Sequence, residues 1–217
     1  MTLQADLYLS IRNPNSYLVA WQYRKMVEDY DLDIRVKPVY PLAIRNPGYF
    51  EEASPLWVPY LIKDCKRYAE FHGQTFALPR PDPIVQNLET LEIADNQPYI
   101  YRLTRLAMEA VRRGRGLAFS HELLHLIWSG DVENWNEGDQ LAQCAGRAGL
   151  NLAELDEAVM KNAEDLDREV FKNQDDLQAD GHWYTPSFVF NEELFFGESR
   201  VDMALWRLKQ NGLQRRS

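Results

Sequence analysis

Cysteine is scarce in this chain of 217 residues, which carries only Cys65 and Cys144. They lie far apart in helix-like segments, so neither a C-x-x-C redox pair nor a cysteine metal site can be built from them. Two reduced, buried thiols are expected, and with them a reducing compartment. Long hydrophobic runs are missing as well, since nothing approaches the ~20 consecutive apolar residues needed to cross a bilayer. The start, Met1-Thr2-Leu3-Gln4-Ala5-Asp6, has neither the basic head nor the apolar core of a secretory leader, and a cytoplasmic location is expected. Positive charge is in deficit too. Lys and Arg number 24 against 33 Asp and Glu, and the net charge of -9 disfavours nucleic acid or an anionic membrane as a partner. The tail Arg215-Arg216 is too short to reverse that, and no internal repeat is found. What remains, 45% hydrophobic, 26% charged and 12% aromatic, is the composition of a globular protein long enough to bury its own core.

The apolar run Ala5 to Ile11 reads as a buried strand, which Asn13-Pro14 stops. Asn before Pro suits a helix start: the Asn side chain accepts from the first free amides, and Pro at the first helical position has no N–H to waste. The helix is expected to run to about Tyr30, apolar over most of its surface. Asp33-Ile34-Arg35-Val36-Lys37 then alternates with the period of a strand, and strand, helix, strand implies a parallel pair. From Pro47 to Asp180 the pattern reads as helical with proline and glycine punctuation. Helices are expected over 57 to 72 and 99 to 113, and from an Asn151 cap to about Met160. After Gly181 a hairpin is expected from Ser187-Phe188-Val189-Phe190 and Leu194-Phe195-Phe196. Ser199-Arg200-Val201-Asp202 has capping-box spacing and is expected to open a last helix that stops at Gly212. This order predicts an α/β chain with a thioredoxin-like fold: residues 1–46 and 181–217 form the thioredoxin-like part, and 47–180 a large all-helical insertion. Pro186, unable to donate to a ladder, belongs at a strand start.

Three groups of residues give the chain a family likeness. Asn13-Pro14-Asn15-Ser16-Tyr17-Leu18, then Tyr60-Leu61-Ile62-Lys63-Asp64-Cys65-Lys66-Arg67-Tyr68-Ala69, and finally Thr185-Pro186-Ser187-Phe188 with Phe196-Gly197-Glu198-Ser199-Arg200 resemble the kappa-class glutathione transferases and 2-hydroxychromene-2-carboxylate isomerases, of the DsbA-like thioredoxin superfamily. The resemblance covers nearly the whole chain. It implies a glutathione-dependent isomerase or transferase acting on a small aromatic or electrophilic substrate, and a homodimer. It also implies that the turn at the first helix faces a cis-proline loop and that a serine opening the turn holds the glutathione sulfur. Asn13 stands in that serine's place here, and Ser16 matches the second serine of the turn. As implied roles, Thr185 and Pro186 hold the cysteinyl part of glutathione, and Glu198, Ser199 and Arg200 flank its γ-glutamyl group. Trp57, Tyr60, Asp64 and Arg67 line the second-substrate pocket.

Each of these residues also has a purely structural reading. Asn13 and Ser199 serve as helix caps, Trp57 as core, and Tyr60, Asp64 and Arg67 as a surface cluster at spacings of three and four. A second function class follows, a non-catalytic or chaperone-like thioredoxin-fold protein that binds a thiol or peptide. A third comes from His121-Glu122-Leu123-Leu124-His125, which fits the zinc-hydrolase pattern H-E-x-x-H. Trp128 and Asp131 stand where the metzincin continuation needs Gly and its third His, Glu133 and Glu137 follow too closely, and no metal is expected.

Overall fold

Two strands with buried alternate residues, Leu3–Leu9 (β1) and Leu32–Pro38 (β2), flank the helix Pro14–Asp29 (α1). The computed structural model describes residues 2–46, 48–49, 54–87 and 92–216. β1 and β2 pair in parallel, as expected, from Leu3 opposite Leu32 to Leu9 opposite Pro38. The hairpin Ser187–Phe190 (β3) and Glu193–Phe196 (β4) joins antiparallel to the other side of β1, giving the sheet order β2-β1-β3-β4. The fold is the thioredoxin-like one expected, mixed α/β with a helical block between β2 and β3.

That block contains Trp57–Phe71 (α3), Ile100–Arg112 (α4), Gly116–Trp128 (α5), Gln140–Arg147 (α6) and Leu152–Ala179 (α7), after a short helix Leu42–Arg45 (α2). Two expectations for it are corrected. Residues 74–87 and 92–98 are irregular, with one bridge between Gln86 and Ile93, because Pro79, Pro81, Pro83 and Pro98 lack the N–H that a helix interior needs. The helix capped by Asn151 runs on past Met160 to Ala179. Asn162 kinks it, its amide donating to the Ala158 carbonyl at 2.9 Å, but Leu166, Val170 and Leu177 keep the apolar face buried beyond the kink. The expected boundary at residue 47 lies outside the described residues.

One continuous core joins the block to the sheet. α1 lays Leu18, Val19 and Tyr23 on Leu7, Leu9 and Phe188, and α5 packs Phe119, Leu123 and Ile127 into the same cluster. Tyr23 stacks on Phe188 with ring centres 5.1 Å apart. On the opposite face Tyr8, Val39, Leu177 and Val189 form a smaller cluster. Polar ties fix the register between layers. The Tyr8 hydroxyl donates to Asp180 at 2.6 Å, and Asp167 of α7 accepts from the Tyr40 hydroxyl at 2.5 Å and from both Nε and Nη2 of Arg105 at 2.7 Å.

The last helix, Val201–Gln210 (α8), follows a 3₁₀ turn at Glu198–Arg200. Ser199 is therefore not its cap, contrary to expectation: it lies inside the 3₁₀ turn, and its hydroxyl accepts from Arg200 at 3.1 Å. Gly197 sets this up with φ of +87°, a left-handed conformation that glycine adopts without strain.

The Asp167 network makes a pH prediction. Burial works to raise this carboxyl, but the hydrogen bonds from Arg105 and Tyr40 outweigh it and hold it below the usual range. A carboxyl depressed in the folded state stabilises fully above its unfolded value and loses that contribution as pH falls through its folded value. Asp167→Asn should therefore lower stability at neutral pH and flatten the acid limb of the stability profile. Denaturation midpoints measured from neutral to acidic pH check this, and parallel acid limbs in the two proteins count against it.

Candidate functional site

The start of α1 is pinned from three directions before any ligand is considered. Trp128 at the end of α5 donates its indole N–H to the Ile11 carbonyl at 2.9 Å. Arg12 grips Asp82 in a two-pronged pair at 2.7 Å, a geometry that orients as well as attracts. Asn15 faces α3, where the Cys65 thiol lies 3.1 Å from its Oδ1.

Asn13 is the N-cap of α1. Its Oδ1 accepts from the N–H of Asn15 at 2.8 Å and of Ser16 at 3.2 Å. Its amide nitrogen, pointing the other way, donates to the Thr185 carbonyl at 2.9 Å across 172 residues of sequence. The Thr185–Pro186 peptide is cis. The turn and the proline loop therefore stand face to face, as the family resemblance implied, with one side chain spanning them. Pro186 precedes β3, where a residue without an N–H costs the ladder nothing, and its carbonyl accepts from Gly197 at 2.9 Å.

This geometry changes how Asn13 and Ser16 are to be read. Asn13 is 5% exposed and Ser16 fully buried, with the Ser16 hydroxyl accepting from the Ser10 N–H at 3.2 Å. The Tyr17 N–H turns to the Asn13 carbonyl at 3.4 Å. The helix start is thus capped from within.

The other expected residues divide into those beside the proline loop and those turned away from it. Glu198 is half-buried, and its carbonyl accepts from the Tyr68 hydroxyl at 3.2 Å, tying the 3₁₀ turn to α3. Ser199 and Arg200 are exposed and bond to each other. Tyr60, Asp64 and Arg67 occupy the solvent face of α3, where Arg67 pairs with Asp64 at 3.1 Å and the Tyr60 hydroxyl approaches it at 3.5 Å. The helix turns Cys65, Tyr68 and Ala69 inward instead, because its apolar stripe decides which face is buried. Trp57 is partly buried, and its indole nitrogen has no partner among the described residues.

Two neighbours of the turn carried no functional signal in the sequence beyond helical spacing. Burial pushes the Cys65 thiol up to about 12, with Glu198 and Asp64 adding to it, so the sulfur stays protonated and unreactive. Burial likewise pushes Tyr184, next to Thr185, up to about 12. Cys144 is buried and also pushed up to about 12, and the two thiols are unpaired.

On α5 the H-E-x-x-H face is occupied by ion pairs. Glu122 binds Arg24 at 2.8 Å and Arg147 at 2.6 Å; burial works to raise its carboxyl, but these two pairs hold it below the usual range. Arg24 also points Nη1 at His121 Nδ1, 3.0 Å away. The same ring nitrogen lies 3.4 Å from Glu122 Oε1, so it faces a donor and an acceptor at once. His125 Nε2 meets Asp131 at 3.0 Å. Among the described residues no three His, Cys, Asp or Glu are grouped to hold a metal, and no helix is long and apolar enough to cross a membrane.

Residues 4–209 match the DSBA-like thioredoxin domain. The chain belongs to that family. No curated protein sequence matches it significantly. Among solved structures it is similar to a 2-hydroxychromene-2-carboxylate isomerase, at 17% identity over 96% of this chain and 97% of that one, with a TM-score of 0.71. A probable DsbA oxidoreductase from Streptomyces coelicolor aligns at 16% identity over 96% and 89% of the two chains, with a TM-score of 0.66. The cytosolic disulfide reductase DsbM from Pseudomonas aeruginosa, solved with GSH, aligns at 14% identity over 96% and 98%, with a TM-score of 0.60. At these identities the likeness is one of fold. Within this DSBA-like chain, the turn that faces the cis-proline reads Asn13-Pro14-Asn15-Ser16 and holds no cysteine.

Asn13 should matter to stability as much as to any ligand. Asn13→Ala removes a cap, for about 1 kcal/mol, and leaves the buried Thr185 carbonyl without its donor, for about 1–3 kcal/mol more. Urea denaturation should show a total loss of roughly 2–4 kcal/mol on those two terms. A loss below about 0.5 kcal/mol would mean that the bridge contributes little beyond an ordinary surface contact.

Proposed function

We propose that this DSBA-like protein is a glutathione-dependent isomerase or transferase acting on a small aromatic or electrophilic substrate, and that its turn does not carry out disulfide exchange. The observation that carries the reading is the Asn13 amide lying 2.9 Å from the Thr185 carbonyl across a cis-proline loop. An N–H already suspended between the helix start and the loop is placed to exchange that carbonyl for a sulfur anion bound between them. The likeness in shape to an isomerase, and to a reductase solved with GSH, agrees with a thiol ligand in this fold.

The residues present fit such a ligand through backbone and dipole rather than through formal charge. No group among the described residues accepts from the Thr185 N–H, which leaves it for the cysteinyl carbonyl of the ligand. The positive end of the α1 dipole points at the turn. Glu198 brings an acceptor for the ligand's ammonium group to the loop beside Pro186, while Ser199 and Arg200 stand open to solvent at the same edge. Glutathione, when bound, supplies a thiolate that adds reversibly to a conjugated bond, permits rotation and leaves unconsumed. The role of Asn13 is to donate to that sulfur, and that of Thr185 and Pro186 is to hold the tripeptide extended. Two unpaired, buried thiols support a working place in a reducing compartment.

A second reading, a thioredoxin-fold protein that binds a thiol or peptide without turnover, is favoured by one feature. Every polar atom of the Asn13 side chain is engaged internally, and the Ser16 hydroxyl is buried on the Ser10 amide.

Calorimetric titration with glutathione, paired with ultraviolet difference absorption of its thiolate, separates the two. Binding with a thiolate signal at neutral pH is expected for the enzyme. Binding without that signal supports the second reading, and no heat at millimolar glutathione refutes the enzyme. Asn13→Ser keeps a cap, releases the Thr185 carbonyl and puts a hydroxyl at the turn, so it should increase the thiolate signal. An unchanged signal in that variant would remove Asn13 from the sulfur's surroundings.

A further inference from the structure

One and two turns along α1 from Asn13, where α1 runs beside α5, lies a cavity of about 290 Å³. Its walls are Tyr17 and Trp21 of α1, Gln74 and Thr75 of the segment after α3, and His121 and His125 of α5. No residue of the cis-proline loop reaches it. The Tyr17 hydroxyl is spent on the Thr75 carbonyl at 2.7 Å, which fixes one wall.

Two other wall residues hold polar atoms that are shielded from water and lack a hydrogen-bond partner among the described residues: the Trp21 indole Nε1, a donor, and the Gln74 side-chain Oε1, an acceptor. Buried polar atoms are nearly always paired, so an orphan donor and an orphan acceptor in one wall call for an explanation. The imidazoles add a third group. With Nδ1 of His121 turned to Arg24 and Glu122, the ring leaves Nε2 as its second polar atom. The two imidazole rings lie nearly parallel, 18° apart with centres at 6.4 Å.

Charge in the wall is already neutralised. Glu122 is turned into Arg24 and Arg147, and His125 is bonded to Asp131. Among the described residues the lining holds no carboxylate, lysine or arginine to pair with an ionic ligand. The volume, at the low end of the ~300–1,000 Å³ common for ligand pockets, suits one ring.

We propose that this cavity binds an uncharged, single-ring aromatic ligand bearing an amide-like pair, whose carbonyl accepts from the Trp21 indole and whose N–H donates to Gln74. The ring packs against Trp21 and the imidazole of His121. Both orphan atoms are covered in the unliganded cavity, so entry requires the Trp21 and Gln74 side chains to turn. The site is separate from the glutathione groove and stands whether or not that groove is catalytic.

The probe is benzamide, titrated into the full-length protein and followed by nuclear magnetic resonance. The Trp21 indole signal is assigned by its disappearance in Trp21→Phe. Saturable shifts of the Trp21 indole N–H and of the His121 ring proton are expected. Gln74→Leu, which keeps bulk but removes the acceptor, should weaken binding about tenfold. Benzoate, with the same ring but a charge and no donor, should also bind at least about tenfold more weakly. No saturable shift at millimolar benzamide overturns the proposal, as does equal affinity in a natively folded Gln74→Leu. Should that variant fail to fold, equal binding of benzoate and benzamide by the unmodified protein overturns it alone.

Discussion

The Asn13 side chain is the single contact on which the arrangement of this site depends. It acts locally, as the cap of α1, and across the chain, as the donor to the Thr185 carbonyl. An amide does both with separate atoms. A serine has one oxygen to aim, and an aspartate would set a carboxylate against a carbonyl and lose the bridge. Because the Thr185 carbonyl is buried, breaking the bridge leaves it without a partner, which costs more than a surface hydrogen bond contributes. The turn and the proline loop are thus held at a fixed separation by one planar group, and any ligand entering between them must replace what that group now satisfies.

The surroundings reinforce this by leaving little charge near the turn. Arg12, the cation closest to it in sequence, is committed to Asp82, and burial pushes the Arg45 guanidinium down from its usual value, so it too gives up solvation to sit where it does. Cys65 and Tyr184 are held protonated by burial. The same economy governs α5, where Glu122 is divided between two arginines and His121 turns Nδ1 to Arg24. A five-residue pattern that spells a zinc site is here an ion-pair seam between α1 and α5. Its two imidazoles nonetheless line a cavity, so the pattern marks a place without naming its chemistry.

Local chemistry was legible in the amino-acid sequence; long-range chemistry was not. Asn13-Pro14 announced its cap because cap and helix are neighbours, and the alternation from Asp33 to Lys37 announced β2 because the pleat has a period of two. The family likeness supplied the cis-proline opposite the turn. Hidden was the direction of the Asn13 amide, since its acceptor lies 172 residues away. Ser199 misled because its spacing matched a capping box, while the left-handed Gly197 diverted the chain into a 3₁₀ turn first. Tyr60, Asp64 and Arg67, polar residues at helical spacing, are turned to solvent because the stripe of Cys65 and Ala69 is the face that buries. The helix beyond Met160 was lost at Asn162, where one kink interrupts a periodicity that its apolar face resumes.

The electrostatic consequence for a thiol at the turn follows from these constraints together. A sulfur anion arriving between Asn13 and Pro186 would give up hydration, and desolvation works to keep a thiol protonated, as it does Cys65, whose sulfur lies 3.1 Å from Asn15 Oδ1. Two sources of compensation remain: the dipole of α1, and N–H groups freed from internal acceptors. Asn13 governs both, since its oxygen covers the first helical amides and its nitrogen is held by Thr185. Whether this chain activates a thiol therefore reduces to one exchange, in which Thr185 releases the Asn13 amide and the ligand's own backbone takes its place at the loop. A thiol that carries a peptide-like N–H has a donor to offer the Thr185 carbonyl in place of the Asn13 amide, whereas a bare thiol has none.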